Sequence, residues 1–241
     1  LASDNQAGRV LALDMYKRAN EICHKINQHF DKKAIIAVQI CTAPSVPIKE
    51  VSSSKESLMR SMDEILNLDW QGAKIVIEHA DSAKSSLPFE KGFLDLNSEI
   101  EILSKLKDKY DVGIIINWAR SAIEGRSVNL PLDHIKLALR ADLLSGLIFS
   151  GVSDNDKSYG SWKDTHMPFA ESYNVEHYEK NSLLTSENIF DTLKLVDLNN
   201  LDYLGVKLLP MPLEVFNIDR RVGLNKDAIF ILESIISELK N

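Results

Sequence analysis

The sequence predicts a parallel α/β fold of the (β/α)8 barrel type, and three observations carry that expectation. Short apolar runs alternate with amphipathic helical stretches along the chain, the pattern of parallel strands joined by helical crossovers. The runs are apolar at nearly every position, as in strands covered on both faces. Polar residues gather where five of these runs end, and barrel active sites lie at the carboxyl ends of the strands.

Taken in order, Val10, Leu13, Tyr16, Ala19, Cys23, Ile26 and Phe30 recur at steps of three and four, which predicts an amphipathic helix from Arg9 to Phe30. Ala34 to Ile40 reads as a buried strand closed by Ala43-Pro44 and a Pro/Ser-rich loop. Ser54 is placed to cap a helix that buries Leu58, Met62, Ile65 and Leu66. Strands follow at Lys74 to Glu78, Val112 to Asn117, Leu147 to Ser150 and Leu204 to Leu208. Helices are expected at Ser98 to Lys109, Leu132 to Leu144, Ser186 to Val196 and Lys226 to Leu239. No GxGxxG or P-loop glycine cluster follows any strand, which favours a barrel over a nucleotide-binding doubly wound sheet. A barrel closes with eight strands. If these five are the fourth to the eighth, residues 1–241 form one domain whose first three strands, an N-terminal part, are absent from this chain.

Composition narrows the partners. At 44% hydrophobic and 26% charged, with a formal net charge of −7, the chain can bury a core but lacks the positive field that nucleic-acid phosphates or anionic membranes require. Two cysteines exclude a disulfide framework, which fits a reducing compartment. No apolar run approaches the roughly 20 residues of a membrane span. A cytoplasmic protein with a small-molecule partner is therefore expected; no oligomeric state follows from the sequence.

The strand ends supply the candidate site. Gln39 and Thr42 follow the first strand, Glu78, His79 and Asp81 the second, Asn117, Arg120, Glu124 and Arg126 the third, Ser150 and Ser153 the fourth, and Lys207 the fifth. A carboxylate such as Glu78 at the end of Ile75-Val76-Ile77 must be paired, metal-bound or at an open end. Side chains alternate along a strand, so Glu78 and His79 cannot both face the barrel interior. Arg120 and Arg126 can hold a phosphate or carboxylate by bidentate bonds; the bland alternative is an Arg-Glu network that fixes the loop. The long segment between Ser150 and His177 carries Trp162, Asp164 and His166; it can act as a lid, and an Asp and a His two residues apart can share a metal or form an oriented base. Lys207 either pairs with Glu78, binds an anion, or serves as a Schiff-base amine.

Ile77-Glu78-His79-Ala80-Asp81, the run from Ile116 to Arg126, Phe149-Ser150-Gly151 and Trp162 to Pro168 resemble an uncharacterised bacterial family within the xylose isomerase-like TIM-type barrels. The resemblance runs from about Gln39 to Lys207. It implies the fold of sugar and sugar-phosphate isomerases and epimerases, and a divalent metal held by carboxylates and histidines at the strand ends. By position, Glu78 matches a strand-five glutamate ligand and His166 a later metal histidine, with Asp164 beside it. Asn117 stands where an aspartate is common and Lys207 where a glutamate is expected, so the metal is in doubt.

The resulting expectation is an isomerase or epimerase acting on a sugar-like or anionic substrate. Its catalytic residues would be Glu78, His166 and Lys207, with Asn117, Trp118, Arg120, Glu124, Arg126, Ser150 and Trp162 contacting substrate, and Glu78, Asp164 and His166 as metal ligands. A Schiff-base lyase or aldolase using Lys207, and a binding barrel without catalysis, are the alternatives.

Overall fold

The computed structural model describes residues 1–42, 52–83, 87–211 and 217–240. Five strands, β1 Ala37–Ile40, β2 Lys74–His79, β3 Val112–Asn117, β4 Leu144–Phe149 and β5 Tyr203–Val206, form one sheet in the order of the chain. Every neighbouring pair is parallel. Sequential order with parallel pairing makes this a half-barrel arc rather than a doubly wound sheet, whose order reverses part-way.

Among the described residues seven α-helices accompany the strands: α1 Gln6–Phe30, α2 Lys55–Leu66, α3 Leu96–Leu106, α4 Trp118–Gly125, α5 Leu130–Arg140, α6 Ser186–Leu193 and α7 Ile218–Leu239. Their starts follow local chemistry. Asn5, Ser54, Asp95, Thr185 and Asn217 each accept a backbone N–H in the first turn, satisfying donors that a helix leaves unpaired. Tyr16 of α1 accepts the Cys41 N–H at 3.1 Å and so ties the first helix to the end of β1.

The strands sort their residues by parity. Ile75 and Ile77 of β2, Ile114 and Ile116 of β3, and Leu147 and Phe149 of β4 are at most 2% exposed and pack with Leu103, Ile123, Ile135, Ile189 and Ile231 of the helices. Each such side chain contributes about 1.5–3 kcal/mol by leaving water. Residues of opposite parity, among them Glu78 and Asn117, face the other side of the sheet.

One irregularity governs that parity. The register between β3 and β4 shifts between Ile114 and Ile115, so that Ile114 pairs with Leu144 but Ile115 with Gly146, and Ser145 is the extra residue. Gly113 makes room for it, since a Cβ there would lie 1.9 Å from Ser145 Oγ. Downstream of this bulge Asn117 pairs with Ile148, which places Ser150, two residues on, on the same face as Asn117.

Several expectations shift. The helix expected to run to Leu144 ends at Arg140, and the strand expected from Leu147 already begins at Leu144. The stretch after Asn117 is not a turn but α4, and the last helix begins at Ile218 rather than Lys226. The Pro/Ser-rich loop expected after β1 falls at residues 43–51, outside the described residues. The segment after β4 is held in place: Gly151 N–H donates to Met167 O at 2.6 Å, Trp162 N–H to Ser153 O at 2.7 Å, and Leu209 N–H to His166 O at 2.8 Å.

Candidate active site

All five strands send one polar side chain to a single layer at their carboxyl ends. Glu78 Oε1 accepts Asn117 Nδ2 at 2.8 Å, and Asn117 Oδ1 in turn accepts Ser150 Oγ at 3.0 Å. Glu78 Oε2 accepts Gln39 Nε2 and lies 3.5 Å from Lys207 Nζ. Glu78, Asn117 and Ser150 are buried, while the Lys207 side chain remains 38% exposed. Donors from three directions fix the Glu78 carboxylate, and Asn117 serves a second end by capping α4 through Ala119 N–H at 3.2 Å.

Beside this layer lies a charged group built from the β2, β3 and β4 loops. Asp81 Oδ2 accepts the N–H groups of Glu90 and Lys91 at 2.6 and 2.8 Å. Arg120 Nη2 binds Asp164 Oδ2 at 2.6 Å, and its Nη1 lies 3.9 Å from Asp81 Oδ1. His166 Nδ1 is 3.3 Å from Asp164 Oδ1. Five buried atoms here, Asp81 Oδ1, Arg120 Nε and Nη1, Asp164 Oδ1 and His166 Nδ1, have no hydrogen-bond partner among the described residues. Buried polar atoms are nearly always satisfied, so such a cluster marks a place for water or a ligand.

His166 itself sits in the left-handed region, with φ 52°. Burial lowers its pKa; the Asp164 carboxylate opposes this, and the positive charges of Lys207 and Arg120 add to the lowering. Near neutral pH its imidazole is uncharged. Burial is also the largest influence on Asp81, whose pKa is raised despite its two backbone hydrogen bonds.

Several expected contact residues lie elsewhere. Trp118 is 2% exposed within the hydrophobic core. Glu124 turns to the helix side, because α4 presents it to His79 Nε2 at 3.2 Å and to the Ser82 N–H at 2.8 Å. Arg126 ties loops together, donating to Trp162 O at 2.9 Å and Pro88 O at 2.7 Å, with its guanidinium 5.8 Å from the Trp162 ring centre. Thr42 and Ser153 are likewise structural: Thr42 Oγ1 donates to Glu99 Oε1 at 3.0 Å, and Ser153 Oγ accepts the Asp156 N–H at 3.0 Å.

His79 faces away from Glu78, as alternation requires, and enters a buried network that the sequence reading did not assemble. Its Nδ1 meets Glu99 Oε2 at 2.8 Å, and His134 Nδ1 meets Ser121 Oγ at 2.9 Å. Burial disfavours a charged His79, yet Glu99 and Glu124 outweigh it and push the pKa up to about 10. Glu99 was detectable as a carboxylate sharing a helix face with Ile102, Leu103 and Leu106.

A divalent metal of the kind expected at this mouth does not fit these residues. Lys207 supplies a positive charge 3.5 Å from Glu78 Oε2, Asn117 offers no carboxylate, and Arg120 already holds Asp164. A cation there would meet two fixed positive charges.

A parallel α/β half-barrel with a polar layer at its strand ends is a fold of the xylose isomerase-like type. A xylose isomerase domain protein from Alicyclobacillus acidocaldarius superposes with a TM-score of 0.50 over 94% of this chain and 73% of that chain; at 11% identity the likeness is one of fold. The chain belongs to the family described as Domain of unknown function (DUF4862), which matches residues 1–224. An uncharacterised protein of Salmonella typhimurium strain LT2 is 34% identical over 233 residues, 97% of this chain and 70% of that protein. Among the described residues no helix is long and apolar enough to cross a membrane.

Proposed function

We propose that the chain forms part of a (β/α)8 barrel whose mouth isomerises or epimerises a hydroxyl-bearing small molecule such as a sugar, sugar acid or sugar phosphate. The observation that carries this reading is the set of unsatisfied atoms beside Glu78 and Lys207. Asp81 Oδ1 needs a donor and Arg120 Nη1 an acceptor, and they lie 3.9 Å apart. A hydroxyl group can do both, accepting from the guanidinium and donating to the carboxylate. Asp164 Oδ1 and His166 Nδ1 offer a second such position.

In this reading the Glu78 carboxylate takes a proton from the carbon next to a carbonyl. The C–H electron pair forms the enediolate double bond, the former carbonyl oxygen becomes anionic, and the Lys207 ammonium, a fixed charge, stabilises it. His166, uncharged near neutral pH, relays a proton between the two oxygens. Glu78 then returns its proton to the neighbouring carbon for isomerisation; for epimerisation water protonates the opposite face of the same carbon and Glu78 releases its proton to the resulting hydroxide. No step runs through a metal.

The test is proton exchange with solvent. Incubating the folded protein with a panel of aldoses, ketoses and their acids and phosphates in heavy water, with and without divalent metal, is expected to label the carbon next to the carbonyl of at least one compound. Absence of label across the panel would remove the basis for this function. The Schiff-base alternative finds Lys207 beside Glu78 as an ion pair; borohydride trapping on Lys207 with a carbonyl compound would revive it.

A further inference from the structure

We propose that His79, Glu124 and His134 form a closed site for one divalent transition-metal ion, Zn2+ being the best match, on the helix side of the sheet. The site is separate from the mouth and independent of the isomerase reading. Among the described residues this is the grouping of His, Cys, Asp or Glu whose ligand atoms all lie within 4.8 Å of one another.

The geometry suits a small ion. His79 Nε2 is 3.2 Å from Glu124 Oε2, and His134 Nε2 is 3.6 Å from Glu124 Oε1. Tetrahedral ligands at a zinc–nitrogen length of about 2.0–2.1 Å are about 3.3 Å apart, so these two separations bracket the required one. Glu124 can chelate the ion with both oxygens, which lie closer together than tetrahedral ligands do, so the two nitrogen and two oxygen donors form a distorted tetrahedron.

The surroundings supply a second, independent argument. A metal-binding histidine usually donates its other ring N–H to a carboxylate or hydroxyl, which fixes the tautomer. Here His79 Nδ1 faces Glu99 Oε2 at 2.8 Å and His134 Nδ1 faces Ser121 Oγ at 2.9 Å. Both Nε2 atoms are thereby turned towards one carboxylate. An ion between them would take the Nε2 lone pair of each ring in place of a proton.

Donor type points to a particular ion. Two imidazole nitrogens favour zinc, copper or nickel over magnesium or calcium, which demand six or more oxygens. The ion would join β2, α4 and α5, with α3 attached through Glu99, so its role is structural: it locks three helices onto one strand, and through the Ser82 N–H bond to Glu124 it steadies the loop carrying Asp81.

The experiment uses the whole chain, produced in zinc-supplemented medium and freed of loose metal. Elemental analysis is expected to find close to one zinc per chain. His134→Gln, which preserves the approximate size and a polar contact to Ser121, is expected to lose it, while His166→Asn at the mouth keeps it. Adding Zn2+ at about 100 times its dissociation constant to stripped protein should raise Tm by on the order of 5–10 °C, with Mg2+ having no such effect. Should His134→Gln fail to fold, Co2+ substitution of the wild type decides the matter: intense visible absorption is expected from a four-coordinate ion with nitrogen and oxygen donors. Stoichiometric zinc that survives His134→Gln but not His166→Asn would overturn the proposal. So would protein that carries no zinc, shows no Tm response to it and gives only the pale spectrum of hydrated cobalt; the cluster is then balanced by protons alone.

Discussion

The ammonium of Lys207 lies 3.5 Å from Glu78 Oε2 and joins the last strand of the sheet to the second across the full width of the polar layer. Its Nζ brings a positive charge up to the Glu78 carboxylate. What that lysine does determines which chemistry is available.

Lys207→Met removes the charge and keeps most of the stem. Because the lysine is 38% exposed and Glu78 retains Gln39 and Asn117, the pair adds little to stability, about 0–1 kcal/mol. Thermal denaturation should show a Tm within about 4 °C of wild type. Solvent-proton exchange should fall about 100-fold or more, the usual cost of losing a group that stabilises an oxyanion. Unchanged turnover would show that Lys207 has no part in the chemistry.

Reversing the charge tests the exclusion of metal. In Lys207→Glu a second carboxylate faces Glu78, and the two repel unless a cation lies between them. Mg2+, which prefers oxygen ligands, is expected to raise the Tm of this variant and leave wild type unmoved. Equal responses would mean that Lys207 is not what keeps a cation out.

His166 provides a pH signature. Its pKa is lowered below the ordinary 6.5, first by burial, against Asp164 and with the help of Lys207 and Arg120. The unfolded chain therefore takes up this proton before the folded one does. The stability His166 contributes is full above pH 6.5 and is lost as pH falls from there through the folded value. Imidazole resonances followed by NMR should titrate His166 below the ordinary 6.5. A midpoint at or above 6.5 would contradict the burial argument.

Gly151 closes the end of β4 against the loop that carries His166. A Cβ there would meet Pro168 O at 2.8 Å and Met167 O at 2.9 Å, both backbone atoms that cannot swing aside, as well as Ser182 Oγ at 2.4 Å. Gly151→Ala should destabilise by about 1–3 kcal/mol, seen as a lower midpoint in urea, with exchange activity falling as the loop is displaced. A midpoint equal to wild type would mean the loop yields freely.

Much of this was legible from residue order. β2 and β3 stand out because continuous runs such as Ile75-Val76-Ile77 and Ile114-Ile115-Ile116 suit strands buried on both faces. The alternation that separates Glu78 from His79 also follows directly. α4 did not stand out because Asn117 belongs both to the strand and to the helix cap, with no glycine or proline between them. The start of α7 was hidden by Gly223 within its first turns; that glycine is there because a Cβ would fall 2.4 Å from the His177 ring. Glu124 and Trp118 were assigned to the mouth from proximity in sequence, whereas the turn of α4 carries them to the other side. The pairing of Glu99 with His79 spans 20 positions, and no local pattern announces it.

The extra residue at Ser145 has a consequence for the strands that follow. Were Ser145 to pair with Ile115 instead of bulging out, Asn117 would pair with Leu147 in place of Ile148. β4 would then enter the sheet in the opposite phase, and β5, paired with it residue for residue, would follow. Ser150 and Lys207 would point into the oily layer beneath the helices, and Phe149 would emerge into water. One amino acid, seated in the space left by Gly113, thus sets the phase for two of the five strands and decides whether there is a mouth at all.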